Sequence, residues 1–120
     1  MIGTSRNVQV FACPEPTDMR RGYNGLWALA RDVIGEDPMS GHLFLFVAKN
    51  QKRAKVLHWD GTGLCIYQKR LEKGRFAPVW EREKEGQISL SQSELSLFLE
   101  GSHAVRKKLS KPQYFLKKDA

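Results

Sequence analysis

Cysteine is scarce in this chain. Two residues, Cys13 and Cys65, stand far apart in 120 positions. That excludes a disulfide-dense scaffold and any Cys-x-x-Cys metal or redox motif. It fits a cytoplasmic protein with reduced thiols. Long apolar runs are missing too, and nothing approaches the roughly 20 residues a membrane helix needs. The opening stretch MIGTSRNVQVFAC has no long apolar segment behind a basic start, so no secretory signal is expected. Acidic residues are outnumbered, 13 against 20 Lys and Arg, for a net charge of +7. Such a balance favours a polyanionic partner while leaving the fold open.

Reactive motifs are absent as well. His42, His58 and His103 fall at neither His-x-x-x-His nor His-Glu-x-x-His spacing. His58 and Cys65 supply two ligands at most, and a structural zinc takes four. No Gly-x-Ser-x-Gly occurs, and Gly61-Thr62-Gly63 has no helix behind it to supply phosphate-binding amides. Asp60 sits at a turn, Asp32 on the polar helix face and Asp37 beside a proline, and nothing in the layout brings these and Asp18 together, whereas two-metal catalysis needs carboxylates converging on ions about 4 Å apart. No cofactor, metal or catalytic centre is expected, and the chain reads as a non-enzyme.

What is present is a regular pattern of elements. Val8 to Ala12 predicts a short strand. Tyr23, Leu26, Trp27, Ala30, Val33 and Ile34 recur on one face of an amphipathic helix, which Gly35 and Pro38 terminate. Gly25 within it permits close packing. His42 to Lys49 is a continuous apolar run, as in a central strand buried on both faces. KVLHWDGTGLCIYQKRL (55–71) predicts a β-hairpin, with Gly61-Thr62 as a two-residue type II′ turn. Counting outward, Trp59 faces Leu64, Leu57 faces Ile66, Lys55 faces Gln68 and Arg53 faces Arg70. Phe76 to Trp80 predicts an edge strand because Pro78 cannot serve a central ladder. Glu81 to Gly86 reads as a solvated loop and Gln87 to Leu90 as a short strand. Ser91 and Glu94 form a capping box for a final helix with Leu95, Phe98 and Leu99 on its core face, stopped by Gly101.

The expected fold is α+β. It has a mainly antiparallel sheet with a central hairpin, one amphipathic helix near the N-terminus and one short helix near the C-terminus. Residues 1–101 form a single domain. Residues 102–120 form a basic tail, mobile when free, with six Lys and Arg against Asp119. The pattern defines no oligomeric state.

The charge is concentrated. Between Lys49 and Arg75 stand eight cations and two acids, Asp60 and Glu72, with Trp59, Tyr67 and Phe76 interleaved. The root of the hairpin therefore becomes the candidate polyanion surface: Arg53, Lys55, Lys69, Arg70, Lys73 and Arg75. Arg53 opposite Arg70 is destabilising unless an anion or carboxylate lies between them. Arg20 and Arg21, beside the start of the first helix, form a second candidate group. Asp18 either caps that helix or leaves its amides and the two guanidinium groups to an anion.

Three segments carry a resemblance: TDMRRGYNGLWAL (17–29), DPMSGHLFLFVAKNQKRAKVLHWDGTGLCIYQKRLEKGRF (37–76) and ISLSQSELSLFLEG (88–101). Together they resemble the TnpB, or Orf2, accessory family of insertion-sequence-66 bacterial transposable elements. The resemblance covers residues 1 to about 101, leaving the basic tail beyond the common core. It implies an accessory role in transposition, beside a separate and larger transposase that carries the catalytic residues. It supplies no mapped binding residues. The expected partners are element DNA, the transposase and other products of the same element. The alternative is an adaptor that meets the transposase without touching DNA.

Overall fold

The structure is a computed structural model, and it describes residues 7–81 and 87–101. In chain order come β1 (Val10–Ala12), α1 (Tyr23–Leu29), a π-helical turn (Ala30–Ile34), β2 (Leu43–Val47), β3 (Arg53–Trp59), β4 (Leu64–Arg70), a 3-10 turn (Val79–Glu81), β5 (Ile88–Leu90) and α2 (Gln92–Leu99). The loop expected over 81–86 lies outside the described residues from position 82 onward, and so does the basic tail.

The five strands form one sheet in the order β4-β3-β2-β1-β5. Three of the four neighbouring pairs are antiparallel; β1 and β2 are parallel. The parallel pair follows from the connection: α1 crosses over between β1 and β2, and a crossover returns the chain in the same direction. The fold is thus α+β with a mainly antiparallel sheet. The hairpin, however, is not central. β4 is the outermost strand, and the centre belongs to β2, whose Leu-Phe-Leu-Phe-Val run is buried throughout.

The alternation of that run explains the two layers around the sheet. Phe44 and Phe46 point to the α1 side, where they meet Phe11, Leu26, Ala30, Ile34 and Leu57. Leu43, Leu45 and Val47 point to the α2 side, with Val10, Val56, Phe76, Leu95 and Phe98. Leu26, Ala30 and Ile34 are the buried residues of the first helical segment. Tyr23, expected on the same face, is 52% exposed at the first position of α1. The helix widens before it ends: the Gly35 and Glu36 amides both donate to the Ala30 carbonyl, and Gly35 leaves with φ +86°. At Gly25 the close approach is to the helix's own flank, since a Cβ there would stand 3.0 Å from Arg21 Cβ.

Phe76 to Trp80 is not a strand. The Phe76 amide donates to Gln51 O at 2.7 Å, and Gln51 Nε2 donates back to Phe76 O at 2.9 Å. This pins Phe76 under the sheet, stacked on Phe98. Pro78 then opens the 3-10 turn, where its fixed φ suits a helical start and its missing N–H costs nothing. The capping box is complete: Glu94 N donates to Ser91 Oγ at 3.0 Å, and Ser91 N to Glu94 Oε1 at 2.8 Å. Among the described residues, no helix is long and apolar enough to cross a membrane.

Candidate nucleic-acid interface

The register of β3 and β4 is the one counted from the turn, from Trp59–Leu64 at the tip to Arg53–Arg70 at the root. The tip closes differently from a simple type II′ turn. Gly61 has the expected positive φ of 105°, but the Gly63 amide donates to Asp60 Oδ1 at 3.0 Å. The same oxygen accepts from the amide and the hydroxyl of Thr62. Three donors stabilise the ionised carboxylate and hold the Asp60 pKa down to about 2.

Side-chain alternation then sorts the cations. Arg53, Lys55, Gln68 and Arg70 lie on the α1 side of the ribbon, continuous with Leu57 and Ile66. Lys55 is half-buried. Its ammonium donates 2.8 Å bonds to two carbonyls, Met19 O and Arg21 O, in the segment before α1. Those bonds hold the Arg20–Arg21 segment against the hairpin root, and two groups far apart in sequence become neighbours. An open cleft of about 430 Å³ lies here, lined by Met19, Arg53, Ala54, Lys55, Gln68, Lys69, Arg70 and Glu72.

The structure does not gather every candidate. Lys69 belongs to the other side of the ribbon, opposite Ala54, and its ammonium donates to Leu99 O near the end of α2 at 2.8 Å. Lys73 and Arg75 are exposed in the connection after β4. Two guanidinium groups already hold acids. Arg20 grips Asp18, with Nη2–Oδ2 at 2.7 Å, and this pairing drives the Asp18 pKa well below the usual carboxylate range. Arg70 reaches Glu72 at 3.1 Å. Lys55 and Lys69 bind carbonyls, which carry no formal charge to offset theirs. Among the described residues, the Arg53 and Arg21 guanidinium groups have no hydrogen-bond or ion-pair partner.

The anion site at the start of the first helix takes another form. Asp18 caps a tight turn, accepting from Arg20 N at 2.9 Å, while α1 starts at Tyr23 behind Gly22 with no side-chain cap. Asp18 therefore neutralises Arg20 rather than the helix end. Sequence reasoning passed over Met19, Gln68 and Glu72 as parts of the cleft. The signal was present for two of them: Gln68 is the counted partner of Lys55, and Glu72 stands two positions from Arg70, as Asp18 does from Arg20.

Cys65 is exposed and Cys13 buried. Desolvation, then the charge of Asp60, raises the Cys65 thiol pKa; Asp60 Oδ2 is 3.6 Å from its sulfur. This is the environment of an unreactive thiol. Among the described residues, no group of three or more His, Cys, Asp or Glu could hold a metal ion.

A family model described as IS66 Orf2 like protein matches residues 8–109. The match passes Gly101, where the resemblance read from sequence placed the end of the common core, and takes in the first part of the basic tail. Two proteins of Sinorhizobium fredii (strain NBRC 101917 / NGR234) are similar to this chain. The uncharacterized protein y4jC is 36% identical over 115 residues, covering 93% of this chain and 97% of the relative. The uncharacterized protein y4hO is 37% identical over 101 residues, covering 84% and 86%. No solved structure matches.

Proposed function

The chain belongs to the IS66 Orf2-like family of insertion-sequence accessory proteins, and from that premise we propose that it is a non-catalytic, cytoplasmic component of the transposition complex that binds element DNA through the α1 side of its hairpin root. The single observation carrying this reading is the pair of bonds from Lys55 to the Met19 and Arg21 carbonyls. They tie the segment that carries Arg20 and Arg21 to the hairpin root, whose Arg53, Lys55 and Arg70 line the open cleft. Among the described residues, Arg53, Lys55 and Arg21 form no ion pair with an acid, although Asp18 lies within the field of Arg21. Arg70 and Arg20 join when a phosphate displaces Glu72 or Asp18. Lys73 and Arg75 flank the surface, while Lys69 extends it around the strand end. Residues 1–101 act as the binding domain, with the cations of 102–120 adding to the field. Contacts of this kind go to phosphates and carry little sequence information.

A mobility shift with element-end DNA, with and without transposase and across a salt series, tests the proposal. Binding by the protein alone, weakening steeply with salt, is expected. A shift that requires the transposase at every salt concentration supports the adaptor reading instead. That reading has an observation of its own: Arg20 and Arg70 already hold carboxylates, so an acidic patch on the transposase would find matching chemistry.

A further inference from the structure

We infer that the outer edge of β4 is a dimerisation strand, which pairs antiparallel with β4 of a second copy and joins the two sheets into one. The inference is independent of the DNA-binding proposal.

Among the described residues β4 ends the sheet, with seven residues in unbroken register against β3 and no proline. Two bonds fix the phase of the ladder: Asp60 N to Gly63 O at 3.0 Å, and Leu71 N to Lys52 O at 2.8 Å. Odd-numbered residues of β4 therefore turn their backbone groups toward β3. Leu64, Ile66, Gln68 and Arg70 turn theirs outward. An edge this long and regular is a template for another strand unless it is guarded. The usual guards have been drawn aside. Lys69 is tied to Leu99 O, and Arg70 is folded onto Glu72. What remains at the middle is Tyr67, 52% exposed. The opposite edge, β5, has three residues and offers far less.

The sequence of β4 selects the second copy as occupant. One antiparallel register pairs all seven residues, with the two-fold axis at Tyr67. It sets Ile66 against Gln68 of the second copy, Leu64 against Arg70, and Cys65 against Lys69. No like charges face one another, and the two exposed tyrosines form a cross-strand pair. All four outward residues of each copy meet outward residues of the other, so every unpaired backbone group finds a partner. Shifting by two residues shortens the ladder. Parallel in-register pairing puts Lys69 on Lys69 and Arg70 on Arg70. In the chosen register the two Arg70 residues lie six positions apart along the ladder, about 20 Å, beyond the Debye length of about 8 Å. The positive charge of each copy therefore opposes association only weakly.

Sedimentation equilibrium of the full chain tests this. The expected mass is twice 13.7 kDa. Gln68→Pro removes an outward N–H that β3 does not use, so the variant should keep its circular dichroism spectrum and sediment at 13.7 kDa. Tyr67 faces itself at a non-hydrogen-bonded position, where Cα atoms approach to about 4.5 Å, within disulfide reach. Tyr67→Cys in a Cys65→Ser background should therefore cross-link under mild oxidation. Tyr23→Cys in the same background, equally exposed at 52% on α1, should not. A chain that sediments as a monomer at hundreds of micromolar overturns the inference. So does a dimer that Gln68→Pro leaves intact. A monomer that loses transposase binding through Gln68→Pro assigns the edge to the transposase and overturns it too. If Gln68→Pro fails to fold, the cross-link decides: equal yields from Tyr67→Cys and Tyr23→Cys refute the register.

Discussion

Arg53 and Arg70 stand directly opposite each other across β3 and β4, and of the two only Arg70 holds an acid, Glu72. Two like charges at cross-strand positions work against the sheet. Arg53→Ala is therefore expected to raise stability slightly, by about 0.2–1 kcal/mol in a thermal or urea melt. The same substitution should weaken DNA binding and flatten the salt dependence of log K by about 0.9 for each phosphate left without its cation. A variant that loses both stability and affinity would show Arg53 to be a structural residue.

Lys55→Met keeps most of the aliphatic stem and removes both bonds to the segment before α1. A hydrogen bond that involves a charged group contributes about 1.5–3 kcal/mol to stability. Water will satisfy part of that loss, so the expected cost is about 2 kcal/mol overall. Hydrogen exchange separates this from a global effect: amides 18–22 should open faster than those of β2. DNA affinity should fall by more than the loss of one cation explains, because Arg20 and Arg21 lose their anchor.

The hairpin turn depends on pH through Asp60. Its pKa is lowered from 3.8 to about 2 by the Thr62 and Gly63 amides and the Thr62 hydroxyl. A depressed carboxylate contributes stability that is fully present above the unfolded value and is lost as pH falls through the folded one. The window therefore runs from about pH 4 down to about pH 2. Carboxyl NMR should find Asp60 titrating near the bottom of that range. In Asp60→Asn, the acid limb of the melting curve should be shallower. Titration of Asp60 near its ordinary value would contradict the turn geometry.

Gly101 follows α2 with φ +87°, and a Cβ there would meet Leu71 Cδ1 at 2.8 Å. Gly101→Ala should cost about 2 kcal/mol from the left-handed backbone and the clash together. Adding Leu71→Ala separates the two. If the clash contributes, the double variant loses less than the sum of the singles; strict additivity would leave the backbone as the whole cause.

Local chemistry made much of this fold readable in the sequence. The glycine turn fixed the β3–β4 register, the unbroken apolar run marked β2 as the doubly covered strand, and Ser91 with Glu94 announced α2. Alternation also set Lys69 apart from Arg53, although the candidate surface had grouped them. Non-local pairing was less visible. Nothing around Val10 says that β1 lies parallel to β2 or that β5 flanks it. The burial of Phe76 depends on Gln51 and Phe98, both distant in the chain. The cleft itself rests on Lys55 reaching back to Met19 and Arg21, an interaction no pattern within either segment encodes.

β1 precedes the other described strands in the chain and sits inside the sheet, between β2 and a strand near the far end of the described residues. During synthesis its outer flank waits unpaired until Ile88–Leu90 has left the ribosome. A nascent or truncated chain that stops short of β5 would carry an open, fully apolar rim at Val10–Ala12, the kind of surface that recruits chaperones or aggregates.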